Sequence, residues 1–150
     1  MNQLYSDSVT LFFTSADLDY LKSNVSEIKL LSPETSKWCR VTHHDQKIYY
    51  EIKGVAPSYF KLRLLEAQEG RIFHPLDGIE GRKVTLIGSN VADVLFKRQN
   101  PIGKTILIND DNFIVVGVIA DNVLNQYEAR QITCLSCHLH VILSLIHVFG

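Results

Sequence analysis

Apolar and polar positions alternate with a period of two along residues 48–53. Ile48, Tyr50 and Ile52 share one face, and Tyr49, Glu51 and Lys53 share the other. That period predicts a half-exposed strand of an antiparallel sheet over residues 48–55. Residues 38–42 predict its partner strand, with His43, His44, Asp45 and Gln46 as the polar turn. Upstream, Thr14 and Ser15 precede a segment with Leu18, Leu21 and two early aspartates, which predicts a short helix over 15–23. Residues 25–31 alternate weakly, and Ser32-Pro33 is expected to end them because proline removes a ladder donor.

Further along, Pro57 is placed to open a helix over 58–65. The turn-rich stretch His74-Pro75-Leu76-Asp77-Gly78, with Gly81 beyond it, reads as a surface loop. The densest stretch is 83–119. It predicts a strand over 83–87, a helix capped by Ser89 and Asn90, a glycine turn at Gly103, and strands over 105–108 and 113–119 joined by Asn109-Asp110-Asp111-Asn112. The last strand is nearly continuous in apolar character, so both of its faces are expected to be covered. Gly103 and Gly117 are expected to matter through backbone conformation or close packing.

Composition then narrows the function classes. The chain has 150 residues, 46% hydrophobic and 21% charged, which suits a globular domain with a core of its own. Fifteen basic residues against sixteen acidic ones leave no basic face for nucleic acid. The N-terminal stretch lacks a signal-peptide pattern, and no apolar run is long enough to span a bilayer. Residues 131–150 stand apart. They contain no Asp, Glu, Lys or Arg, and they hold two of the three cysteines and three of the six histidines.

The ordered set of motifs resembles the MacB-like periplasmic core domain of ABC transporter permeases. The residues that carry it are Gly54-Val55, Pro57 and Tyr59-Phe60, then Glu69-Gly70-Arg71-Ile72-Phe73 and Asp77. After them come residues 84–88, Val91-Ala92, Leu95-Phe96, Asn100-Pro101-Ile102-Gly103-Lys104 and residues 113–118. The resemblance covers residues 11–119, and its ordered spacing is more specific than any single piece.

It implies an α+β fold, with a mixed, mainly antiparallel sheet, short helices and two subdomains. The core domain is expected over residues 1–130 and incomplete, with 131–150 as an uncharged tail of uncertain origin. The implied location is outside the cytoplasmic membrane, as part of an inner-membrane permease with one membrane helix upstream and three downstream. The implied role is to transmit conformational change, as a dimer. The implied partners are the permease helices, a cytoplasmic ATPase, and a periplasmic adaptor, lipoprotein or cell-wall enzyme. No enzyme activity, catalytic residue, cofactor or metal ligand is implied for the domain itself.

One motif points elsewhere. Cys134-Leu135-Ser136-Cys137-His138 matches C-x-x-C-H, the attachment pattern for c-type haem, with His140 or His147 available as a further ligand. The alternative function is therefore a small periplasmic haem- or metal-binding protein. Zinc would need Cys134 and Cys137 with His138 or His140, and Cys39 only if the fold brought it near. A Cys134–Cys137 disulfide or a pair of thiols is the simpler reading. Gly103-Lys104-Thr105 lacks the upstream glycine and the following helix of a phosphate loop, and reads as a turn. His43-His44-Asp45 reads as a polar turn, and Asp110-Asp111 as a hairpin tip rather than a calcium loop.

Overall fold

A computed structural model describes residues 14–27, 30–121, 130–135 and 145–149. The first helix, α1 (Ser15–Asn24), is held by a reciprocal cap. The Thr14 hydroxyl accepts from the Asp17 backbone N–H at 3.3 Å, and the Asp17 carboxylate accepts from the Thr14 N–H at 2.7 Å. The apolar run at 11–13 lies outside the described residues.

A long hairpin follows, made of β1 (Leu30–His43) and β2 (Gln46–Val55) and turned at His44 and Asp45. Antiparallel pairing runs from Glu34 opposite Val55 to His43 opposite Gln46. The alternation of β2 shows in its first half, and from Ile52 onward every position is buried. Ser32-Pro33 does not end the upstream segment, contrary to the sequence expectation. Pro33 sits opposite Ile146 of β8 (Leu145–Phe149), while pairing with β2 begins only at Glu34. With a neighbour on one side only among the described strands, β1 loses little by lacking a donor there.

Pro57 is the N-cap of α2 (Ser58–Arg63), not its first residue, and Leu64 closes the helix in the left-handed region. After β3 (Glu69–Gly70), the expected surface loop is instead a short helix, α3 (Pro75–Ile79). His74 Nδ1 accepts from Leu76 N at 3.1 Å, and Asp77 Oδ2 accepts from His74 N at 2.8 Å. That cap, with proline at the helix start, makes Pro-Leu-Asp-Gly helical despite its turn-like composition.

β4 (Val84–Gly88) is buried along its whole length and leads into α4 (Ser89–Phe96). Gly88 takes the N-cap position with no side-chain bond, so Ser89 and Asn90 are not caps. The Ser89 hydroxyl accepts from Asp121 N instead, at 3.0 Å. β5 (Thr105–Ile108) and β6 (Asp111–Ile119) meet at a turn of only Asn109 and Asp110, because Ile108 already pairs with Asp111. Asn109 has φ +45°, which asparagine tolerates. It fastens the tip to β1: Arg40 N donates to its Oδ1 at 3.1 Å, and its own N–H donates to Arg40 O at 2.7 Å. β6 is covered on both faces only from Gly117 onward, and Ile114 stays 48% exposed.

β7 (Ile132–Leu135) lies between β2 and β4, parallel to the first and antiparallel to the second, with all four residues buried. The strand order is β2-β7-β4-β6-β5-β1-β8, and β1 also pairs with β2. Six strands therefore close into a ring. Only β2–β7 and β4–β6 pair in parallel among the described strands. The class is α+β with a mainly antiparallel sheet. Val91, Leu95 and Phe96 of α4 pack into a core with Ile52, Ile87, Ile106, Val115 and Ile132. Tyr59 and Phe60 of α2 pack a second core with Val55, Leu86, Ile119 and Leu135. Each such fully buried side chain contributes about 2–3 kcal/mol of transfer free energy, so the two layers hold the ring from opposite faces.

Candidate functional site

Four of the motif residues, Gly70, Arg71, Asp77 and Gly117, gather where β3 pairs with β6. Gly70 pairs with Gly117, and the chains lie so close that neither tolerates a side chain. A Cβ on Gly70 would stand 2.1 Å from Val116 O, and one on Gly117 would stand 2.3 Å from Arg71 O. Val116 is the extra residue of a bulge, since Thr85 faces Val115 and Leu86 faces Gly117. Its carbonyl accepts from Arg71 N at 2.8 Å, so the bulge is what aims it at the crossing strand.

Next to the crossing stands a charged clamp. Arg71 donates two bonds to Asp77, at 2.7 and 3.0 Å, and Arg82 approaches the same carboxylate at 3.4 Å. The Asp77 side chain is fully buried, while those of Arg71 and Arg82 are half-exposed. The hydrogen bonds from Arg71 hold the Asp77 carboxyl below the usual carboxylate range; burial opposes this, and the His74 N–H and both arginine charges add to it. The clamp ties the segment after β3 to the cap of α3.

A second buried ionic group joins β1, β2 and α2. Lys53 donates to Glu34 at 2.8 Å and to the Tyr59 hydroxyl at 3.2 Å. Burial pulls the Lys53 ammonium down, but the Glu34 bond and charge, with Tyr59, outweigh it and leave the pKa raised. Lys53 therefore remains charged at neutral pH. No signal in the sequence marks this group, because Glu34 and Lys53 sit in ordinary strand positions. The glycine crossing did leave a signal: an isolated glycine within an apolar strand marks close backbone approach.

The tempting chemistry falls as follows. Cys134 is 1% exposed inside β7, its sulfur 3.6 Å from the Thr85 hydroxyl, out of reach of a haem edge unless the sheet opens. Cys39 is buried in β1. Cys137, His138 and His140 lie outside the described residues, and His147 is placed only as a backbone position of β8. Among the described residues no three His, Cys, Asp or Glu gather as a metal site would need. Lys104 ends in a hydrogen bond to Gln99 at 3.1 Å and is followed by β5, as a turn requires. Tyr59 is core, while Trp38 and Tyr49 stand about two-thirds exposed on the outer face of the β1–β2 hairpin. A polar cleft of about 470 Å³ between β3 and α4 mixes Glu69 and Asp93 with Arg98, with no nucleophile paired to a base.

No helix among the described residues is long and apolar enough to cross a membrane. Among the described residues the site offers a locked backbone pairing and two ionic clusters within an α+β domain. Comparison with known proteins makes the class specific. The solved extracellular domain of the ABC-type transporter YknZ from Gram-positive bacteria matches with a TM-score of 0.79 at 20% identity, over 92% of this chain and 73% of that one. The periplasmic region of MacB from Actinobacillus actinomycetemcomitans matches with a TM-score of 0.76 at 19% identity, over 92% and 65%. In sequence, the macrolide export ATP-binding/permease protein MacB of Bdellovibrio bacteriovorus is 34% identical over 105 residues, covering 70% of this chain and 16% of that protein. The ABC transporter permease YknZ of Bacillus subtilis is 27% identical over 107 residues, covering 71% of this chain and 27% of that one. The chain thus spans 16% and 27% of the length of these two sequence relatives. The family model for the MacB-like periplasmic core domain matches residues 2–132. The protein belongs to that family, the extracytoplasmic domains of ABC transporter permeases.

Proposed function

We propose that this domain transmits conformational change between the membrane helices of a permease and a partner outside the cytoplasmic membrane. It would do so as one of two copies in a dimeric transporter whose ATP is hydrolysed by a separate cytoplasmic unit. The family match supports the setting. The observation that carries the role is the closed six-strand ring, with the β3 segment locked onto β6 at Gly70–Gly117 and tied to α3 by the Arg71–Asp77 clamp. A lever must move as one body between discrete positions, and it needs stiffness rather than a reactive side chain. The domain has no catalysis of its own in this reading, and its docking partner is an adaptor or a lipoprotein.

Deleting residues 30–135 from the full-length permease, with a short flexible linker in their place, tests the role. Nucleotide hydrolysis is expected to persist at a basal rate while export is lost. Export that continues undiminished would contradict the proposal. The haem alternative is opposed by the burial of Cys134.

A further inference from the structure

His43 ends β1 at a seam that no element of the proposed lever explains. Its ring packs 4.3 Å from the Phe96 ring at the end of α4 and 4.3 Å from the His44 ring. Its Nδ1 lies 3.3 Å from the Thr105 carbonyl on β5, so the neutral tautomer with a proton on Nδ1 donates there. The seam borders a hollow of about 200 Å³. Three separate elements therefore converge on one imidazole: the β1–β2 tip, the end of α4, and the start of β5.

The charges around it are unbalanced. Lys104 stands with its ammonium 5.8 Å from the Phe96 ring centre, on the ring that His43 also uses. Lys97 lines the hollow from the end of α4, and His44 and Asp45 line it from the turn. A proton on His43 would place a second cation beside Lys104 and the His44 ring. The α4 carbonyl end and Asp45 favour a cation, but they are set against partial burial and two lysines. Burial, followed by the charges of His44 and Lys104, pulls the His43 pKa down, and the Thr105 bond only partly offsets this.

We propose that the His43 seam is an acid-released clasp, closed while the imidazole is neutral and loosened when it takes up a proton. With its folded pKa below the unfolded value, the stabilisation from His43 is complete above about pH 6.5 and is lost as pH falls through that value toward the folded pKa. An extracytoplasmic surface meets the pH of its surroundings, so the tip of the hairpin would respond to acid while the rest of the ring stays closed.

The test is a proton NMR titration of the chain, with amide hydrogen exchange at about pH 7.5 and about pH 5.5. His43 is expected to titrate with a midpoint below about 6.5. Exchange at residues 42–46 is expected to accelerate several-fold on acidification, beyond the intrinsic pH effect, while β4 stays protected. His43→Phe keeps the ring packing and should abolish the acceleration, and His44→Gln should retain it. A His43 midpoint at or above about 6.5, or the same acceleration in His43→Phe, overturns the proposal. If the variant fails to fold, the wild-type exchange decides: no acceleration at residues 42–46 on acidification, beyond the intrinsic pH effect, overturns the proposal.

Discussion

Replacing Gly117 with valine is expected to lower the stability of the domain by about 3 kcal/mol or more. The new Cβ would meet the Arg71 carbonyl at 2.3 Å and the Leu86 side chain at 3.0 Å. The first of these is backbone, so relief requires β3 to move away from β6. That movement breaks the Gly70–Gly117 pairing and pulls on the Arg71 end of the clamp. A loss of that size is a large share of the ~5–15 kcal/mol that holds an ordinary domain, and corresponds to a fall of roughly 10 °C in Tm. Gly103→Ala is the control. Gly103 has φ +80° but open space around its Cβ position, so only backbone strain of about 1 kcal/mol is expected there. Thermal unfolding followed by circular dichroism separates the two. Equal effects at Gly117 and Gly103 would show that the crossing is not where the sheet is tight.

Asp77→Asn comes next in expected size, at about 2–4 kcal/mol near neutral pH. The substitution removes a buried carboxylate that receives the Arg71 fork and the His74 N–H. Its pH dependence is the sharper signature. The folded state binds a proton at Asp77 less readily than the unfolded chain does, because Arg71 first, then the His74 N–H and Arg82, favour the charged form. Protonation therefore favours unfolding. The Asp77 contribution is full above the ordinary carboxylate value of 3.8 and is lost as pH falls through the lower folded value. Denaturant titrations of wild type and Asp77→Asn should differ most above about pH 5 and converge toward about pH 2. The difference between the two curves matters because Asp17, in the α1 cap, also has a lowered pKa and would acid-destabilise both proteins alike. Parallel curves down to the lowest pH would mean that Asp77 titrates normally and that the clamp is weak.

Much of the architecture was readable from local pattern. The period-two face of Ile48, Tyr50 and Ile52, the Thr14 cap and the apolar run of β4 each carry their own signal. Where the reading failed, either a tertiary contact or an unexpected cap had replaced the local preference. Pro33 sits inside β1 because, among the described strands, β8 alone pairs with it there. Asp77 turned a glycine–proline loop into α3 by capping it, and the same carboxylate was needed for Arg71. Ser89 lost its capping role to a bond with Asp121. Ile132, Thr133, Cys134 and Leu135 form a β-prone run inside a charge-free segment that carries no period of its own. Their place between β2 and β4 depends on pairing with residues more than forty positions away, which no local window contains. The Glu34–Lys53–Tyr59 group was hidden because Glu34 and Lys53 are brought together by the β1–β2 pairing. Burial of Lys53 follows from the pairing of β2 with β1 and the packing of α2 against β1 beside it.

The central claim is that the domain moves as a rigid body when the transporter works. Nitroxide labels read by double electron–electron resonance on the full-length permease and its ATPase test it most directly. One label at Lys61→Cys on α2 in each copy reports the distance between domains, and a pair at Lys61→Cys and Lys47→Cys within one copy reports internal shape. The account predicts that the distance between copies shifts between the nucleotide-free and ATP-bound states while the internal distance stays fixed. An unchanged distance between copies through a working ATPase cycle, or an internal change of the same size, would contradict it.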